Sequence, residues 1–366
     1  MKRENVENLV ESKPEGESPS GFLSPESRVV TPSGFACATD IQPGEVVATG
    51  HHGFRPVRSV WRSDSPMGVV HLVTRGICKP LTLRPGQPVW AIKGESKKCA
   101  AMGLKWDALI GSGDKPQYIP ADFVSPGDFL HIPAQQGNAM PISEALAWAY
   151  GLYLAEGSAL VEGGASKLHF RVAMTMHERE LPVLERFAGI LSDELGMTSP
   201  RVHLRKRVNY TSEYVHSGRE FALHFRELFG HGAMNKTLPV WMHDMAPNLK
   251  RAVVQGWIDG DGHTAQKNGY VQTSATTISE RMAMQLYQLA VSAGLRPSMA
   301  TLAAGGRRKN NSYTLHFNSG QESVEVAGQV FYRVNARYRS AEPASMVGLS
   351  VEGASSVVVE NVEVLL

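Results

Sequence analysis

Residues 149–157 read AYGLYLAEG, and residues 254–262 read VQGWIDGDG. Both stretches follow the frame G-[LW]-[YI]-[LD]-[AG]-[ED]-G, and their first glycines, Gly151 and Gly256, are 105 residues apart. Each stretch is followed by a hydrophilic β-type segment, then a helix and a basic strand-like segment. A pattern repeated at a fixed distance indicates a duplicated unit. The sequence therefore predicts a pseudo-two-fold molecule whose two motifs meet on the axis.

In both motifs an apolar helix ends at an acid that is followed by glycine, as Glu156-Gly157 and Asp261-Gly262. Glycine after a helix is typical of a cap with positive φ, so we expect that conformation at Gly157 and Gly262. A carboxylate there is electrostatically unfavourable, because the negative end of the helix dipole lies at the C-terminus. Two such helices packed along a dyad place Glu156 and Asp261 side by side, where they need a counter-charge such as Mg²⁺. One such helix end is more often an ordinary cap, but two matching copies favour a site.

These two motifs resemble those of the LAGLIDADG (dodecapeptide) homing endonucleases. The stretch NKTLPVWMHDMAPNLKRAVVQGWIDGDG at 235–262 also resembles the family's lead-in to its second motif, and the resemblance covers about half of the chain. It implies a metal-dependent enzyme that cuts both strands of a long DNA site across the minor groove, with one acid for each scissile phosphate. On this sequence the implied ligands of Mg²⁺, or of another divalent cation, are Glu156, Asp261, Gly157 and Gly262.

The same family uses a basic residue in each half to position the attacking water. Here the implied candidates are Lys206, within RVHLRKRVNY, and Lys309, within GGRRKNNSYTLHF. Lys309 is the better placed, since it directly precedes a predicted strand. Each of these lysines could equally serve as a phosphate anchor with no catalytic part.

The net charge of +2 indicates no particular partner, but the charge is unevenly distributed. Residues 201–226 carry +4 and residues 296–339 carry +5, whereas residues 340–366 carry −4. Basic charge on corresponding segments of the two repeats predicts a surface that binds double-stranded DNA. Because the duplication provides a two-fold arrangement within one chain, we expect the protein to bind its target as a monomer. The candidate DNA-binding residues are Arg201, Arg205, Arg207, Arg307, Arg308, Lys167, Arg171, Lys267 and Gln272.

The flanking β-type segments resemble the Hint fold of inteins, split by an endonuclease domain. The blocks that carry this resemblance are LSPESRVVTPSGFACATDIQPGEVV at 23–47, LTLRPGQPVWAI at 81–92, ADFVSPGDFLHIP at 121–133 and SMVGLSVEGASSVVVENVEVLL at 345–366. Splicing needs a Cys or Ser nucleophile, a Thr-x-x-His and a terminal His-Asn. Phe22, Arg84 with Gln87, and Leu365-Leu366 stand at those places, and starting the first block at Ser24 restores neither the histidines nor the asparagine. We expect a splicing-inert Hint-like domain, retained as a structural or DNA-contacting partner.

The predicted fold class is α+β, with a duplicated LAGLIDADG domain of two central helices and DNA-binding β-sheets inserted in an all-β Hint-like domain. The predicted organisation is a flexible tail at 1–20, Hint-like segments at 21–140 and 321–366, and an endonuclease domain at 141–320 with repeats at 141–230 and 231–320. The clearest helical stretches are PISEALAWAYGLYLAEG, HERELPVLERFAGILSDELG, NLKRAVVQGWIDGDG and TISERMAMQLYQLAVSAG.

The chain has no secretory signal and no apolar run of the roughly 18 residues that a membrane helix needs. Its three cysteines, Cys37, Cys78 and Cys99, have no spacing typical of a disulfide framework or a zinc site. These observations predict a soluble protein with no membrane partner that is cytoplasmic, or nuclear in a eukaryote, and not secreted.

The predicted function is site-specific hydrolysis of both strands of a double-stranded DNA target. Two alternatives remain: a non-cleaving LAGLIDADG protein that acts as an RNA maturase or regulator, and a protein-splicing intein. The intact acids favour cleavage, and the sequence leaves the DNA target and maturase activity open.

Overall fold

A computed structural model of the chain describes the greater part of its residues. The described ranges are 21–32, 34–50, 53–65, 68–74, 77, 79–94, 115–133, 142–164, 167–198, 200–205, 211–267, 270–306, 309–318, 323–326 and 329–366. The expected tail, Cys78 and Cys99 lie outside these ranges, as do the expected domain boundaries at 140 and 320. Cys37 is a partly exposed free thiol.

Ten strands precede the middle of the chain. They are Phe22–Leu23 (β1), Arg28–Thr31 (β2), Gly34–Cys37 (β3), Val46–Thr49 (β4), Gly53–Ser65 (β5), Val69–Thr74 (β6), Leu81–Leu83 (β7), Pro88–Ile92 (β8), Gln117–Pro120 (β9) and Phe129–His131 (β10).

The middle of the chain contains one succession of elements twice. The first is Glu144–Glu156 (α1), Gly157–Gly164 (β11), Lys167–His177 (β12), Leu181–Leu195 (α2), Arg201–Arg205 (β13), Thr211–His216 (β14) and Arg219–Phe229 (α3). The second is Pro247–Asp261 (α4), Gly262–Lys267 (β15), Tyr270–Thr277 (β16), Glu280–Ser292 (α5), Pro297–Leu302 (β17) and Ser312–Asn318 (β18). Their sheets have the same order, β11-β12-β14-β13 and β15-β16-β18-β17.

Helix α3 is the one α-helix of the described residues that the sequence analysis did not single out. Its signal is short but clear, because Ala222, Phe225 and Phe229 follow helical spacing and are fully buried. The second repeat has no counterpart to α3 among the described residues, so the first repeat is the larger one.

Five strands complete the chain, together with short 3₁₀ helices along its length. The strands are Ser323–Val326 (β19), Gln329–Ser340 (β20), Ala344–Val351 (β21), Ser356–Val359 (β22) and Val362–Leu365 (β23). The described 3₁₀ helices are Ala38–Asp40, Ala121–Phe123, Glu178–Glu180, Ala233–Asn235 and Val240–Asp244.

The strands on either side of the repeats pair with each other. Strand β20 pairs with β10 and β6, β21 pairs with β1 and β5, and β23 pairs with β8. Strand β22 is buried on both faces, which suits its Val-rich sequence. The β part is thus one continuous structure that the repeats interrupt along the chain, and the predicted α+β class is confirmed.

Helices α1 and α4 pack with their backbones in close approach. A Cβ on Gly151 would lie 1.9 Å from the carbonyl oxygen of Val253, and a Cβ on Gly256 would lie 2.0 Å from that of Trp148. Under the 105-residue offset of the two motifs, Trp148 corresponds to Val253 just as Gly151 corresponds to Gly256. The contacts are therefore reciprocal, as a two-fold interface within one chain requires.

The expectation of positive φ at Gly157 and Gly262 is wrong. Their φ angles are −75° and −85°, and each helix passes directly into the first strand of its sheet. Space explains the glycines instead, since a Cβ would lie 2.1 Å from the Tyr153 ring at Gly157 and 2.1 Å from the Ile258 carbonyl oxygen at Gly262.

Helix α5 joins the repeats to the β part. Arg28 on β2 forms a buried ion pair with Glu360 at 2.7 Å, and its Nη1 lies 2.8 Å from the sulfur of Met284 on α5. A Cβ on Gly34 of β3 would lie 3.1 Å from the Gln285 side chain. Within the described ranges, no helix combines the length and apolar composition that a membrane crossing requires.

Candidate active site and nucleic-acid surface

The structure brings the two motif acids together. Glu156 is the last residue of α1 and Asp261 the last residue of α4. A Cβ on Gly260 would lie 3.3 Å from Cγ of Glu156, so the first acid rests against the end of the second helix. Burial, and then the charge of Asp261, raise the pKa of Glu156 to about 7, and burial also raises the pKa of Asp261. The site places negative charge where it is poorly solvated and close to a like charge.

Lys236 lies beneath this pair. It is buried, and its Nζ donates hydrogen bonds to the carbonyl oxygens of Tyr153 at 3.1 Å, Leu154 at 2.8 Å and Ala155 at 3.0 Å. These carbonyls belong to the last turn of α1, where helix geometry leaves acceptors short of partners, and that of Tyr153 also accepts from the N–H of Gly157. The three bonds match the three N–H groups of an ammonium, so the charge is fixed in one place.

The charge of Lys236 acts on both acids. Burial lowers the pKa of Lys236 to about 8, whereas the charges of Asp261 and Glu156 act to raise it. In return Lys236 acts to lower the pKa values of Glu156 and Asp261. Sequence reasoning missed the role of this residue, although the quoted lead-in contains it directly before Thr237 and Leu238.

A divalent cation fits this donor set chemically. Two desolvated carboxylates are hard oxygen ligands whose mutual repulsion a cation relieves. Among the described residues no group of three or more His, Cys, Asp or Glu is arranged to hold a metal, so water and phosphate oxygens would complete the coordination. The N–H groups of Gly157 and Gly262 donate to the carbonyl oxygens of Tyr153 and Ile258, and the ligand role of these two glycines stays a prediction.

The predicted DNA-binding residues that the structure describes lie on the two sheets. Arg171 is exposed on β12 and Arg201 is exposed on β13. Gln272 lies on β16, with its Nε2 3.4 Å from Nδ1 of His316. An open groove of about 330 Å³ runs beside Arg171, lined also by His169, Phe170 and Arg219.

Other predicted residues cannot be placed. Lys206, Arg207, Arg307 and Arg308 lie outside the described residues. Lys167, Arg205 and Lys267 belong by backbone position to β12, β13 and β15, and their side chains lie outside the described part.

Lys309 lies in the connection between β17 and β18 and is exposed. It lines an open groove of about 440 Å³ together with Met234, Glu280, Arg281 and Tyr313. The cation whose charge acts on both acids is Lys236, and the catalytic role of Lys309 stays a prediction.

The residues aligned with the reactive positions of inteins also converge. The N–H of Phe22 donates to Oε1 of Gln87 at 2.8 Å, and Nε2 of Gln87 donates to the carbonyl oxygen of Leu365. A Cβ on Gly21 would lie 2.4 Å from Cα of Leu366. Arg84 lies over the Phe22 ring, 4.7 Å from its centroid. This cluster therefore contains residues from both flanks of the repeats, and Phe22, Gln87 and Leu366 supply neither a nucleophile nor an acid-base group.

Residues 248–329 match the family described as LAGLIDADG-like domain. The match begins in α4 and includes all of β15 to β18. It confirms the LAGLIDADG resemblance for the second repeat. The first repeat is linked to it by the 105-residue offset, the common sheet order and the reciprocal helix contacts.

Two kinds of curated protein are similar to larger parts of the chain. An iron-sulfur cluster assembly SufBD family protein of Mycobacterium bovis is 26% identical over 291 residues, which cover 72% of this chain and 34% of that protein. The ATP-dependent DNA helicase Hel308 of Thermococcus kodakarensis is 22% identical over 383 residues, which cover 88% of this chain and 33% of the helicase. The chain spans about a third of the length of the curated relatives it matches.

Solved structures of homing endonucleases are also similar to part of the chain. A structure of mesophilic variants of the homing endonuclease I-DmoI is 14% identical, covers 48% of this chain and 82% of its own, and has a TM-score of 0.37. The I-LtrWI LAGLIDADG homing endonuclease bound to target DNA is 14% identical, with coverages of 48% and 79% and a TM-score of 0.32.

Proposed function

We propose that this chain is a site-specific endonuclease that cuts both strands of a double-stranded DNA target. The observation that carries the proposal is the reciprocal packing of α1 and α4, which sets Glu156 and Asp261 at equivalent positions around one axis. Two acids related in this way suit two scissile phosphates on opposite strands. The family match of the second repeat supports the same activity.

Glu156 and Asp261 would hold a divalent cation such as Mg²⁺. When bound, the cation supplies charge neutralisation at the phosphate and lowers the pKa of a coordinated water. Two features of the chain favour binding of the cation. Glu156 and Asp261 are desolvated, and Lys236 fixes the end of α1 through hydrogen bonds to three carbonyl oxygens. Lys236 is on this proposal a positioning residue, because its N–H groups are occupied by the backbone.

The two sheets begin at the acids and extend away from them, so a duplex lying over the axis would cross both. Arg171, Arg201 and Gln272 are exposed or half-buried on these sheets and suit phosphate or base-edge contacts. Because both sheets belong to one chain, we propose that a single copy binds the whole target. Sedimentation of the DNA complex should give one chain per duplex, and two chains would contradict this stoichiometry.

We further propose that the β part is a splicing-inert Hint-like domain. The support is the convergence of Phe22, Gln87 and Leu365, which the sequence resemblance assigns to the reactive positions of inteins. The curated relatives support an intein-like inserted element, though not the loss of splicing, because proteins with different described functions match this chain over only a third of their length. A segment shared in this way is typical of an inserted element.

The test of cleavage uses a library of duplex targets incubated with the full chain and Mg²⁺, with sequencing of double-strand ends. We expect cutting at one family of sites, lost in Glu156→Gln and Asp261→Asn while DNA binding remains. Glu185→Gln is the matched control, because Glu185 is exposed on α2. Cutting by either acid variant at the wild-type rate would contradict the active-site assignment, and binding without cutting by the wild type would favour the non-cleaving alternative.

A further inference from the structure

Both four-stranded sheets leave one face without a covering helix among the described residues. Helices α2 and α3 pack on the first sheet, against the face that buries Val172, Met174 and Met176. Helix α5 packs on the second sheet, against the face that buries Ala275 and Leu315. Because successive residues of a strand point to opposite faces, the intervening residues form the uncovered faces.

The uncovered face of the first sheet carries charge. Arg171, Thr175 and His177 are exposed along β12, and Arg201 is exposed on β13. Arg201 is in register with Val215, and Thr175 is in register with Glu213, the one acid among the described side chains of this face. The first face therefore offers two guanidinium groups to a ligand.

The uncovered face of the second sheet is built from neutral groups. One row crosses all four strands and consists of His263, Ser274, His316 and Ser298. Thr276 and Thr314 lie in the next row, with their hydroxyl oxygens 2.8 Å apart. Gln272 lies near the start of β16, in register with Asn318.

No Lys, Arg, Asp or Glu occurs among the described side chains of this second face, on which strand register also places the backbone of Lys267 at the end of β15. Burial lowers the pKa of His316, so its ring is neutral at pH 7. The described side chains of the second face therefore offer a ligand an amide, hydroxyls and the imidazoles of His263 and His316.

We infer, on the basis of the proposed function, that the two halves of the DNA target are read by different chemistry. The first sheet reads a half-site that contains G·C pairs, and the second sheet reads a half-site rich in A·T. In the major groove, Arg pairs bidentately with O6 and N7 of guanine, whereas Gln pairs with N6 and N7 of adenine. Threonine and alanine methyl groups contact the thymine methyl.

The first test determines the target composition. A randomised duplex library is selected for binding to the full wild-type chain in EDTA, so that bound duplexes stay uncut. We expect one half of the selected site to be enriched in guanine at one or more positions and the other half in A·T pairs. Equal guanine content in both halves would overturn the inference, whereas failure to retain any duplex would overturn the proposed function as well.

The second test assigns each half to its sheet with two variants. Arg171→Ala should weaken binding to the selected site about tenfold and relax base preference only in the guanine-containing half. A flatter salt dependence with unchanged base preferences would show a phosphate contact and overturn the inference. Gln272→Ala should relax one position in the A·T-rich half and leave the slope of log affinity against log salt unchanged.

Arg58→Ala is the matched control, because Arg58 is exposed on β5 outside both repeats. It should leave the base preferences of both halves unchanged. Relaxation of the same half by Arg171→Ala and Gln272→Ala would overturn the inference, as would a relaxed guanine position in Gln272→Ala. Either result would leave the proposed cleavage activity standing.

Discussion

At the scale of single residues, Glu156 and Lys236 are each subject to two opposing electrostatic effects, burial and mutual attraction. Burial raises the pKa of Glu156 to about 7 and lowers the pKa of Lys236 to about 8, so burial disfavours the charged form of both groups. Their mutual attraction and the three carbonyl contacts of Lys236 act in the opposite direction. A charge balance this close makes the site responsive to pH and to an added cation.

Stability should fall as the pH rises from about 4.5 to about 7 because of Glu156. Its carboxyl binds a proton more tightly in the folded chain, with a pKa of about 7, than at its ordinary value of 4.5. Low pH therefore favours the folded state, and this contribution is lost as the pH passes through the folded pKa. Glu156→Gln should raise the free energy of unfolding by about 1–3 kcal/mol at pH 8 and change it little at pH 4. Urea unfolding at both pH values checks this, and an equal effect at both would refute the assignment.

Removal of the buried lysine should be far more costly than removal of an exposed one. Lys236→Met leaves three helix carbonyls and two acids without their cation, so we expect a loss of about 3–5 kcal/mol of unfolding free energy. Lys309→Met is the matched control and should change it by no more than about 0.5 kcal/mol, because Lys309 is exposed. Chemical denaturation measures both, and similar losses would show that Lys236 has no special structural part.

At the scale of elements, the approach of α1 and α4 sets the position of both acids. The two helices touch through backbone atoms at Gly151 and Gly256, so no side chain separates them. Each helix then leads without a loop into β11 or β15. The acids, the helix interface and the sheets are consequently one rigid arrangement, in which a shift of either helix moves an acid.

Gly256→Ala should force the helices apart. The added Cβ would lie 2.0 Å from the Trp148 carbonyl oxygen, and we expect a loss of about 1–3 kcal/mol or more in stability together with loss of DNA cleavage. Gly189→Ala on α2 is the control, since nothing lies within 4 Å of its Cβ position, and it should stabilise the protein by about 0.4–1 kcal/mol. Thermal unfolding and the cleavage assay report both, and an active, stable Gly256→Ala protein would contradict the close approach.

At the scale of the whole molecule, the β part and the repeats are joined by α5 and share a buried interface. The buried ion pair of Arg28 with Glu360 connects the first flank to the last, and Met284 lies against its guanidinium. Gln87 makes a second connection, between Phe22 and Leu365. Both connections therefore join the two flanks directly to each other.

The chain should not splice when it is placed between two reporter segments. Phe22 offers no nucleophile, and the Gln87 amide, already bonded to Phe22 and Leu365, cannot act as a general acid or base. Expression of the fusion should yield the unspliced product, detected by its mass. A band of ligated reporters would show that another residue supplies the nucleophile.

The sequence by itself determined the repeat and the α+β class, and it predicted the pairing of the two acids and the interruption of a β part by the repeated unit. These features follow from local patterns, since glycine and acid spacing along a helix and alternation along a strand are visible in the residues themselves. Local pattern also misled at one point, because glycine after a helix suggested positive φ where Gly157 and Gly262 are required by contacts with Tyr153 and Ile258.

Only the tertiary structure shows that the charge of Lys236 acts on the two acids, and how the exposed faces of the two sheets differ. Lys236 is 80 residues from Glu156 along the chain, and only packing shows that its ammonium reaches the last turn of α1. The composition of the second face likewise depends on strand register, which sets Gln272, His316 and the threonines on one side of the sheet. Contacts between residues that are distant in sequence form only when the chain folds, so the spacing of residues within a short segment cannot predict them.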